Sequence, residues 1–158
     1  MTCGTISTRK EPQMDWSLEV VVLPVSDIDR SIAFYRDTVG FHLDHDTDNG
    51  HMHVAQLTPP GSGCSIVFGD LPPQRAMEPG SMKNLQLVVP DATAAHRELL
   101  ERGIHVSELM VMGDADGGMF FGFQDPDGNS WAVQEITARA DKPLIPKDHV
   151  GLSDWAGR

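Results

Sequence analysis

The sequence predicts an α+β fold made of two βαβββ modules that pair around one core or cavity. Two observations predict it: an order of strand, helix and three strands occurs twice, and short motifs recur at a nearly constant offset along the chain. One module alone has too little sequence to bury a face of its sheet, so we expect the two modules to pack together.

The first module begins with a β-branched, apolar segment, residues 18–25, which is typical of a strand. Ser26 and Asp27 then offer N-cap oxygens for a helix that ends at Gly40. Asn49 followed by glycine predicts a two-residue hairpin turn. The predicted elements of this module are a strand at 18–25, a helix at 28–39, and strands at 41–46, 51–58 and 64–69.

The second module repeats this order. Asp91 is predicted to cap its helix and Gly103 to end it. Residues 40–43 (GFHL) match residues 103–106 (GIHV) at an offset of 63. The predicted elements of this module are a strand at 85–90, a helix between Asp91 and Gly103, and strands at 104–112, 119–124 and 130–136, with turns at 114–118 and 125–129.

These elements predict a single domain. With 158 residues the chain has the length of one ordinary domain. The flanking segments lack periodicity and are predicted to be flexible tails. The predicted boundaries are a tail at 1–15, a domain at 16–137 with modules at 16–70 and 82–137 and a linker at 71–81, and a second tail at 138–158.

The charge balance is acidic, because 23 Asp and Glu residues against 12 Lys and Arg give a net charge of −11. Nucleic acid and an anionic membrane surface would both be repelled, so neither is expected as a partner. The charge favours a neutral or cationic small ligand, although it would also serve solubility alone. The N-terminal residues contain no apolar signal core, so we expect a cytoplasmic protein.

Two segments carry a family resemblance: residues 23–36 (LPVSDIDRSIAFYR), followed by Gly40 and Phe41, and residues 123–129 (FQDPDGN). They resemble the vicinal oxygen chelate superfamily, which includes glyoxalase I, bleomycin-resistance proteins, fosfomycin-resistance enzymes and extradiol dioxygenases. The resemblance covers roughly residues 18–136 and implies the glyoxalase/bleomycin resistance/dihydroxybiphenyl dioxygenase fold. It implies no single reaction, because this fold hosts many chemistries.

The resemblance also implies where a metal would be held. Members of the family that use a metal place His, Gln or Glu on the first and fourth strands of each module, facing the cavity. The matching positions here are Val20, a position near Val67, Asn84 and Ala132. Val and Ala have no lone pair to donate, and one Asn is too few donors for a divalent cation. We therefore expect no metal site and no metal cofactor.

Other candidate ligands do not replace these positions. Side chains alternate along a strand, so Glu19 and Glu135 are predicted to point away from the cavity, on the faces opposite to Val20 and Ala132. His51 and His53 lie two apart on a predicted strand and share a face, which suits metal ligation. A solvated strand edge explains the two histidines equally well. Neither Cys3 nor Cys64 lies in a ligand spacing.

Strand alternation places apolar residues and carboxamides on the predicted cavity walls. The first module contributes an apolar wall and the second a wall of carboxamides, which together suit a neutral, partly polar organic molecule. The alternative, that the carboxamides hydrogen-bond one another in a packed interior, stays open. Aromatic residues are candidates for stacking on an aromatic ligand. The candidate ligand-binding residues are Val20, Val22, His53, Asn84, Gln86, Phe121, Trp131 and Gln134.

We therefore expect a small-molecule-binding protein that forms a homodimer. It would sequester an antibiotic or toxin, or convert its ligand without a metal, and no catalytic residue is identified. The alternative is a glyoxalase-like lyase or isomerase, or a dioxygenase, with a divalent metal held by His51, His53, Glu19 or Glu135.

Overall fold

The structure, a computed structural model, describes Gly4 and residues 14–145, which form two four-stranded sheets. The first module contains β1 (Val20–Val22), α1 (Ile28–Ile32), a π-helical segment (Ala33–Val39), β2 (His42–Asp48), β3 (His53–Thr58) and β4 (Ser65–Gly69). Its strand order is β1-β4-β3-β2, with β1 parallel to β4 and the other pairs antiparallel.

The second module repeats the arrangement after a predicted linker that contains the short helix α2 (Pro72–Arg75). The module contains β5 (Leu85–Val89), α3 (Ala92–Glu101), β6 (Met110–Val111), β7 (Met119–Gln124) and β8 (Ser130–Glu135). Its strand order is β5-β8-β7-β6, with β5 parallel to β8, so the two sheets match strand for strand. The predicted pair of βαβββ modules is confirmed.

Aspartates begin the main helix of each module, as predicted. The Asp27 side chain accepts a hydrogen bond from the Arg30 N–H at 3.0 Å, and that of Asp91 accepts from the Ala94 N–H at 2.9 Å. Gly40 follows the first helical segment with a φ of 97°, a left-handed conformation that favours glycine. Gly103 likewise follows α3 with a φ of 81°, so the same local signals start and end the main helix in both modules.

The loop between β2 and β3 is longer than predicted. Asn49 Oδ1 accepts hydrogen bonds from the backbone N–H groups of His51 and Met52, each at 3.0 Å. The side chain thereby closes a four-residue loop, residues 49–52, in place of the predicted two-residue turn. His51 consequently lies outside the strand, so the predicted pairing of His51 with His53 on one strand face is wrong.

Two further elements differ in extent. Of the predicted strand 104–112, only Met110–Val111 is a regular strand, and Val106 makes an isolated bridge to Phe123. The Ser107 hydroxyl accepts the N–H of Gly122 at 2.8 Å, so a side chain takes the place of a strand carbonyl there. The helix predicted over 28–39 changes to π-helical hydrogen bonding at its seven C-terminal residues.

The core lies between the helices and one face of each sheet, with Tyr35 at its centre. The Tyr35 ring is fully buried and packs against Phe41, Phe68 and Trp131. Its hydroxyl donates to Asp125 Oδ2 at 2.9 Å and accepts from Trp131 Nε1 at 2.9 Å. Burial and the Asp125 carboxylate raise the pKa of Tyr35, so the hydroxyl keeps the proton that it donates. These bonds join the two modules.

The predicted turn at 125–129 supports this junction. Asp125 Oδ1 accepts from the N–H groups of Asp127 and Asn129, each at 2.9 Å. Asn129 Nδ2 donates to the backbone oxygen of Pro24, in the first module, at 2.8 Å. The motif thus fixes the predicted turn and adds a contact between the modules.

The predicted tails lie mostly outside the described residues. The described part of the second tail overlaps a 3₁₀ helix (Thr137–Ala140). Within residues 14–145, we find no helix with the length and apolar content needed to span a membrane.

The Tyr35→Phe variant should lower the free energy of unfolding by about 1–3 kcal/mol. The change keeps the ring but removes one of the donors to the buried Asp125 carboxylate and leaves Trp131 Nε1 without its hydrogen-bond partner. Urea unfolding followed by tryptophan fluorescence measures the change. The control Ser81→Ala removes an exposed hydroxyl and should cost less than about 0.5 kcal/mol. Equal stability of the two variants would show that the Tyr35 hydroxyl does not stabilise the junction.

Candidate functional site

Each sheet has a helix face, which contributes to the core, and an opposite side that we call the open face. In-register residues of neighbouring strands share a face. In the first sheet, Ala55 pairs with Phe68 and Leu57 with Ile66, and all four are buried on the helix face. The alternate residues form the open face of the first sheet: Val20, Val22, His42, His45, Gln56, Thr58, Ser65 and Val67.

The second sheet is built in the same way. Trp131 pairs with Phe123 and Val133 with Phe121, and these residues are buried on the helix face. The open face of the second sheet consists of Gln86, Val88, Met110, Phe120, Ala132 and Gln134.

Within one chain, the open face of each sheet points away from the other sheet. Tyr35 lies between the helix faces, with ring centroids 6.2 Å from Phe68 of the first sheet and 5.8 Å from Trp131 of the second. The modules therefore pair around a core, and the open faces lie on the outer sides of that core. A single chain does not bring its two open faces together around one cavity.

The candidate ligand-binding residues consequently lie in different places. Trp131 and Phe121 are 5% and 1% exposed on the helix face of the second sheet. They lie on the opposite side of the sheet from the carboxamides that they were expected to accompany. The candidates on the open faces are Val20, Val22, Gln86 and Gln134.

His53 and Asn84 lie on neither open face. His53 pairs with Asp48 and shares the helix face of the first sheet with Ala55 and Leu57, at the end of the strand. Asn84 is an exposed residue before β5, with a φ of 56°, and its backbone N–H donates to the Ser130 hydroxyl at 2.8 Å. The ligand-binding roles of these residues stay predictions.

Two carboxamides on the second open face form an ordered chain of hydrogen bonds. Gln134 Nε2 donates to the backbone oxygen of Gly117 at 2.7 Å, and Gln86 Nε2 donates to Gln134 Oε1. The Gly117 oxygen can only accept, so it fixes the orientation of both amides. Gln86 Oε1 is left as an exposed acceptor at the end of the chain.

Two grooves lie near the junction of the modules. The larger has a volume of about 800 Å³ and is lined by Phe34, Asn84, Asp125 and Trp131, among others. The smaller, of about 380 Å³, lies beside α3 and includes Phe121. The Asp125 carboxylate is already engaged by Tyr35 and by the 125–129 turn, so the larger groove offers this carboxylate to a ligand only in part.

The positions at which relatives hold a metal contain no suitable set of donors. Val20, Val67 and Ala132 are on open faces, but their side chains have no lone pair. Glu135 lies on the helix face, as predicted, where its Oε2 accepts the N–H of Ala92 at 2.9 Å. Among the residues that the structure describes, no three His, Cys, Asp or Glu side chains are grouped to hold a metal ion. The residues present do not fit a metal centre of the family type.

A polar cluster on the open face of the first sheet was not predicted. Asp44 lies at a β-bulge, and its side chain is only 4% exposed. Asp44 Oδ1 bonds to His42 Nδ1 at 3.0 Å, while Oδ2 accepts from the Thr58 hydroxyl and from Gln56 Nε2 at 3.4 Å. The spacing of His42 and Asp44 was the available signal. A bulge, however, cannot be located from strand periodicity.

Cys64 is a poor nucleophile. Burial and the nearby Glu19 carboxylate raise the pKa of its thiol, which keeps it protonated near neutral pH. Cys3 lies outside the described residues.

His53 forms an ion pair on the helix side of the first sheet. Burial lowers the pKa of His53, but the hydrogen bond from its Nε2 to Asp46, at 2.6 Å, and the Asp48 and Asp29 carboxylates raise it more. The pKa therefore lies above its usual value. The protonated ring stabilises the fold below the unfolded-state pKa of about 6.5, and this contribution is lost as the pH rises through the folded-state value.

The Asp46→Asn variant should therefore lose more stability at pH 5.5 than at pH 8.5, because the protonated fraction of His53 falls as the pH rises. Urea unfolding of wild type and variant at both pH values measures the difference. Asp114→Asn, in an exposed turn, is the control and should show no such pH dependence. The same loss at both pH values for Asp46→Asn would contradict the ion pair.

Comparison with known proteins agrees with this architecture. A family model described as "Glyoxalase/Bleomycin resistance protein/Dioxygenase superfamily" matches residues 17–133. TnmS3, an antibiotic binding protein from Streptomyces sp. CB03234, is 32% identical, with 78% of this chain and 98% of that chain covered and a TM-score of 0.66. A glyoxalase/bleomycin resistance protein from the same organism is 34% identical, with 75% and 100% covered and a TM-score of 0.63.

A third structure is more distant. It is a superfamily member from Sphaerobacter thermophilus DSM 20745, with 26% identity, 78% and 99% coverage and a TM-score of 0.63. The comparison with curated proteins gave no match. The family model and the solved structures agree with the resemblance seen in residues 23–36 and 123–129. The chain belongs to the glyoxalase/bleomycin resistance protein/dioxygenase superfamily.

Proposed function

We propose that this protein binds a small, neutral or cationic organic molecule on its open faces, without a metal cofactor, and sequesters an antibiotic or a similar toxin. The observation that carries the proposal is the exposure of apolar residues on these faces. Val20 is 44% exposed, Val88 41% and Met110 55%. Exposed apolar side chains that share a face of a sheet are typical of a surface that binds a ligand or a partner.

The carboxamide chain supports a ligand that is partly polar. Gln86 and Gln134 are held in one orientation by Gly117, so a ligand meets a preformed acceptor and pays little ordering entropy. Apolar surface with a few fixed polar groups is the usual composition of a small-molecule site. The grooves near the junction carry the proposal less well, because the smaller one is walled largely by core residues and the Asp125 carboxylate of the larger one is already engaged.

Similarity and charge support the class of ligand. TnmS3, at 32% identity, is described as an antibiotic binding protein. The net charge of −11 disfavours an anionic ligand and favours a neutral or cationic one. Valine and alanine at the metal positions of the family support binding without a cation.

A homodimer is part of the proposal. The open faces of one chain lie on the outer sides of its core, so a cavity with two walls requires an open face from a second copy. Exposed Val20 and Val88 would lose their contact with water in such a pair. Each ligand would then lie between the two chains.

We expect at least one compound from a panel of neutral and cationic antibiotics, which includes metal-free bleomycin, to raise the melting temperature of the full chain. Calorimetry would then give its affinity. Gln134→Leu should weaken that affinity roughly fivefold, because it frees the Gln86 amide from its fixed orientation and the ligand loses a preformed acceptor worth about 1 kcal/mol. The control Arg97→Gln, exposed on α3, should bind as wild type does.

Binding should persist after dialysis against EDTA, since the proposed contacts contain no metal ligand. A stoichiometric metal in the purified protein, together with loss of binding after EDTA, would contradict the proposal. That result would favour the metal-dependent lyase, isomerase or dioxygenase. No stabilisation by any member of the panel would count against antibiotic sequestration.

Sedimentation velocity should find a dimer whose dissociation constant rises in the variant Val20→Asp, because a carboxylate would be buried at the interface. Leu100→Asp is the matched control, as Leu100 is 51% exposed on α3, away from the open faces. A monomeric wild type, or an equal effect of both substitutions, would contradict a dimer formed through the open faces.

A further inference from the structure

We propose that His42, held by Asp44, is the proton-accepting group of the first open face, and that the ligands it selects carry a weakly acidic hydroxyl of the phenol or enol class. This inference deepens the proposed small-molecule binding and rests on it. It depends on the polar cluster of Asp44, which the binding proposal does not use.

The direction of the hydrogen bonds around Asp44 decides which atom of His42 is free. A carboxylate can only accept, so His42 Nδ1 must donate to Asp44 Oδ1 across the 3.0 Å contact. In the neutral ring, Nε2 then carries the lone pair. The His42 side chain is 59% exposed, so this lone pair is available on the open face.

The cluster beneath His42 is buried and ordered. Asp44 Oδ2 accepts the Thr58 hydroxyl, so the Thr58 proton is used, and the Ser65 hydroxyl must donate to Thr58 across 2.6 Å. Thr58 is 8% exposed and Ser65 1%. Every hydrogen bond in this chain therefore points toward Asp44, and none presents a donor to the ligand.

The bulge explains why the carboxylate is under His42. Leu43 pairs with Leu57 on the helix face and His45 pairs with Gln56 on the open face, so Asp44 is the extra residue between them. The bulge turns the Asp44 side chain toward Thr58 and Gln56. Its carboxylate is therefore held against His42 before any ligand arrives.

The chemistry of the step selects the ligand. The O–H bond of the ligand breaks, its proton passes to His42 Nε2, and the electron pair stays on the ligand oxygen. The resulting imidazolium is paired with Asp44 on one side and with the ligand oxyanion on the other. Transfer needs an acid whose pKa is close to that of an imidazole, so aliphatic alcohols are too weak. Carboxylic acids are already anionic and are repelled by the net charge of −11.

The first experiment determines, in the protein without ligand, which ring nitrogen of His42 carries the proton. Long-range ¹H–¹⁵N NMR of the full chain, with the signal assigned through His42→Gln, should show a neutral ring protonated at Nδ1. Asp44→Asn should alter that pattern, while His45→Gln, on the same open face, should leave it unchanged. A ring protonated at Nε2 in the wild type would overturn the inference without bearing on whether a ligand binds.

The ligand class is tested with 4-nitrophenol, whose ionised form is coloured, and with 4-nitroanisole, which has the same ring but no hydroxyl. At the pH where the free phenol is half ionised, wild-type protein should raise the fraction of phenolate, and 4-nitroanisole should bind at least about tenfold more weakly. His42→Gln should abolish the increase in phenolate, and Arg97→Gln, exposed on α3, should retain it.

The possible failures are distinguishable. Equal binding of the two probes, unaffected by His42→Gln, would overturn the inference and leave small-molecule binding standing. Failure of both probes, together with no stabilisation by the antibiotic panel, would overturn the proposed function and this inference with it.

Discussion

The bonds of the Tyr35 hydroxyl are the constraint on which the rest of the structure depends. The hydroxyl is bonded to Asp125 and Trp131 across the junction of two modules that have too little core individually. Because this junction uses the helix faces, both open faces are turned outward. The hydrogen bonds of the core thus leave the proposed binding surfaces outside the part that one chain encloses.

The open faces carry exposed apolar side chains and ordered polar groups, but their described residues lack the donor set of a metal centre. Valine and alanine occupy positions at which metal-using relatives place ligands, and the polar residues lie elsewhere on the same faces. On each face a chain of hydrogen bonds is fixed by a group that can only accept, the Gly117 oxygen or the Asp44 carboxylate. Each chain consequently ends in a free acceptor, Gln86 Oε1 or His42 Nε2, so both faces suit a ligand that donates.

Local sequence patterns were sufficient for the elements and their repetition. Asp27 and Asp91 cap helices by accepting a hydrogen bond from a residue only three positions later. The succession of strands along the chain follows from alternation and turns. Patterns failed where a side chain competes with the backbone, as Asn49 does in the β2–β3 loop and Ser107 does beside β7. The Ser107 contact joins residues 15 apart, which periodicity does not detect, while the Asn49 contacts are local but compete with an equally local two-residue turn.

The sequence by itself determined the fold, the repeat and the lack of donors at the family's metal positions. It also determined, through the alternation of side chains along a strand, that Gln86 and Gln134 share one face. Each of these follows from the identity of the residues and from the side-chain period, which is about two residues in a strand and about 3.6 in a helix. Only the tertiary structure decided which face of each sheet is buried. That choice placed Trp131 and Phe121 in the core, and a bulge brought Asp44 beneath His42. The physical reason is that alternation separates two faces but does not say which of them meets the other module.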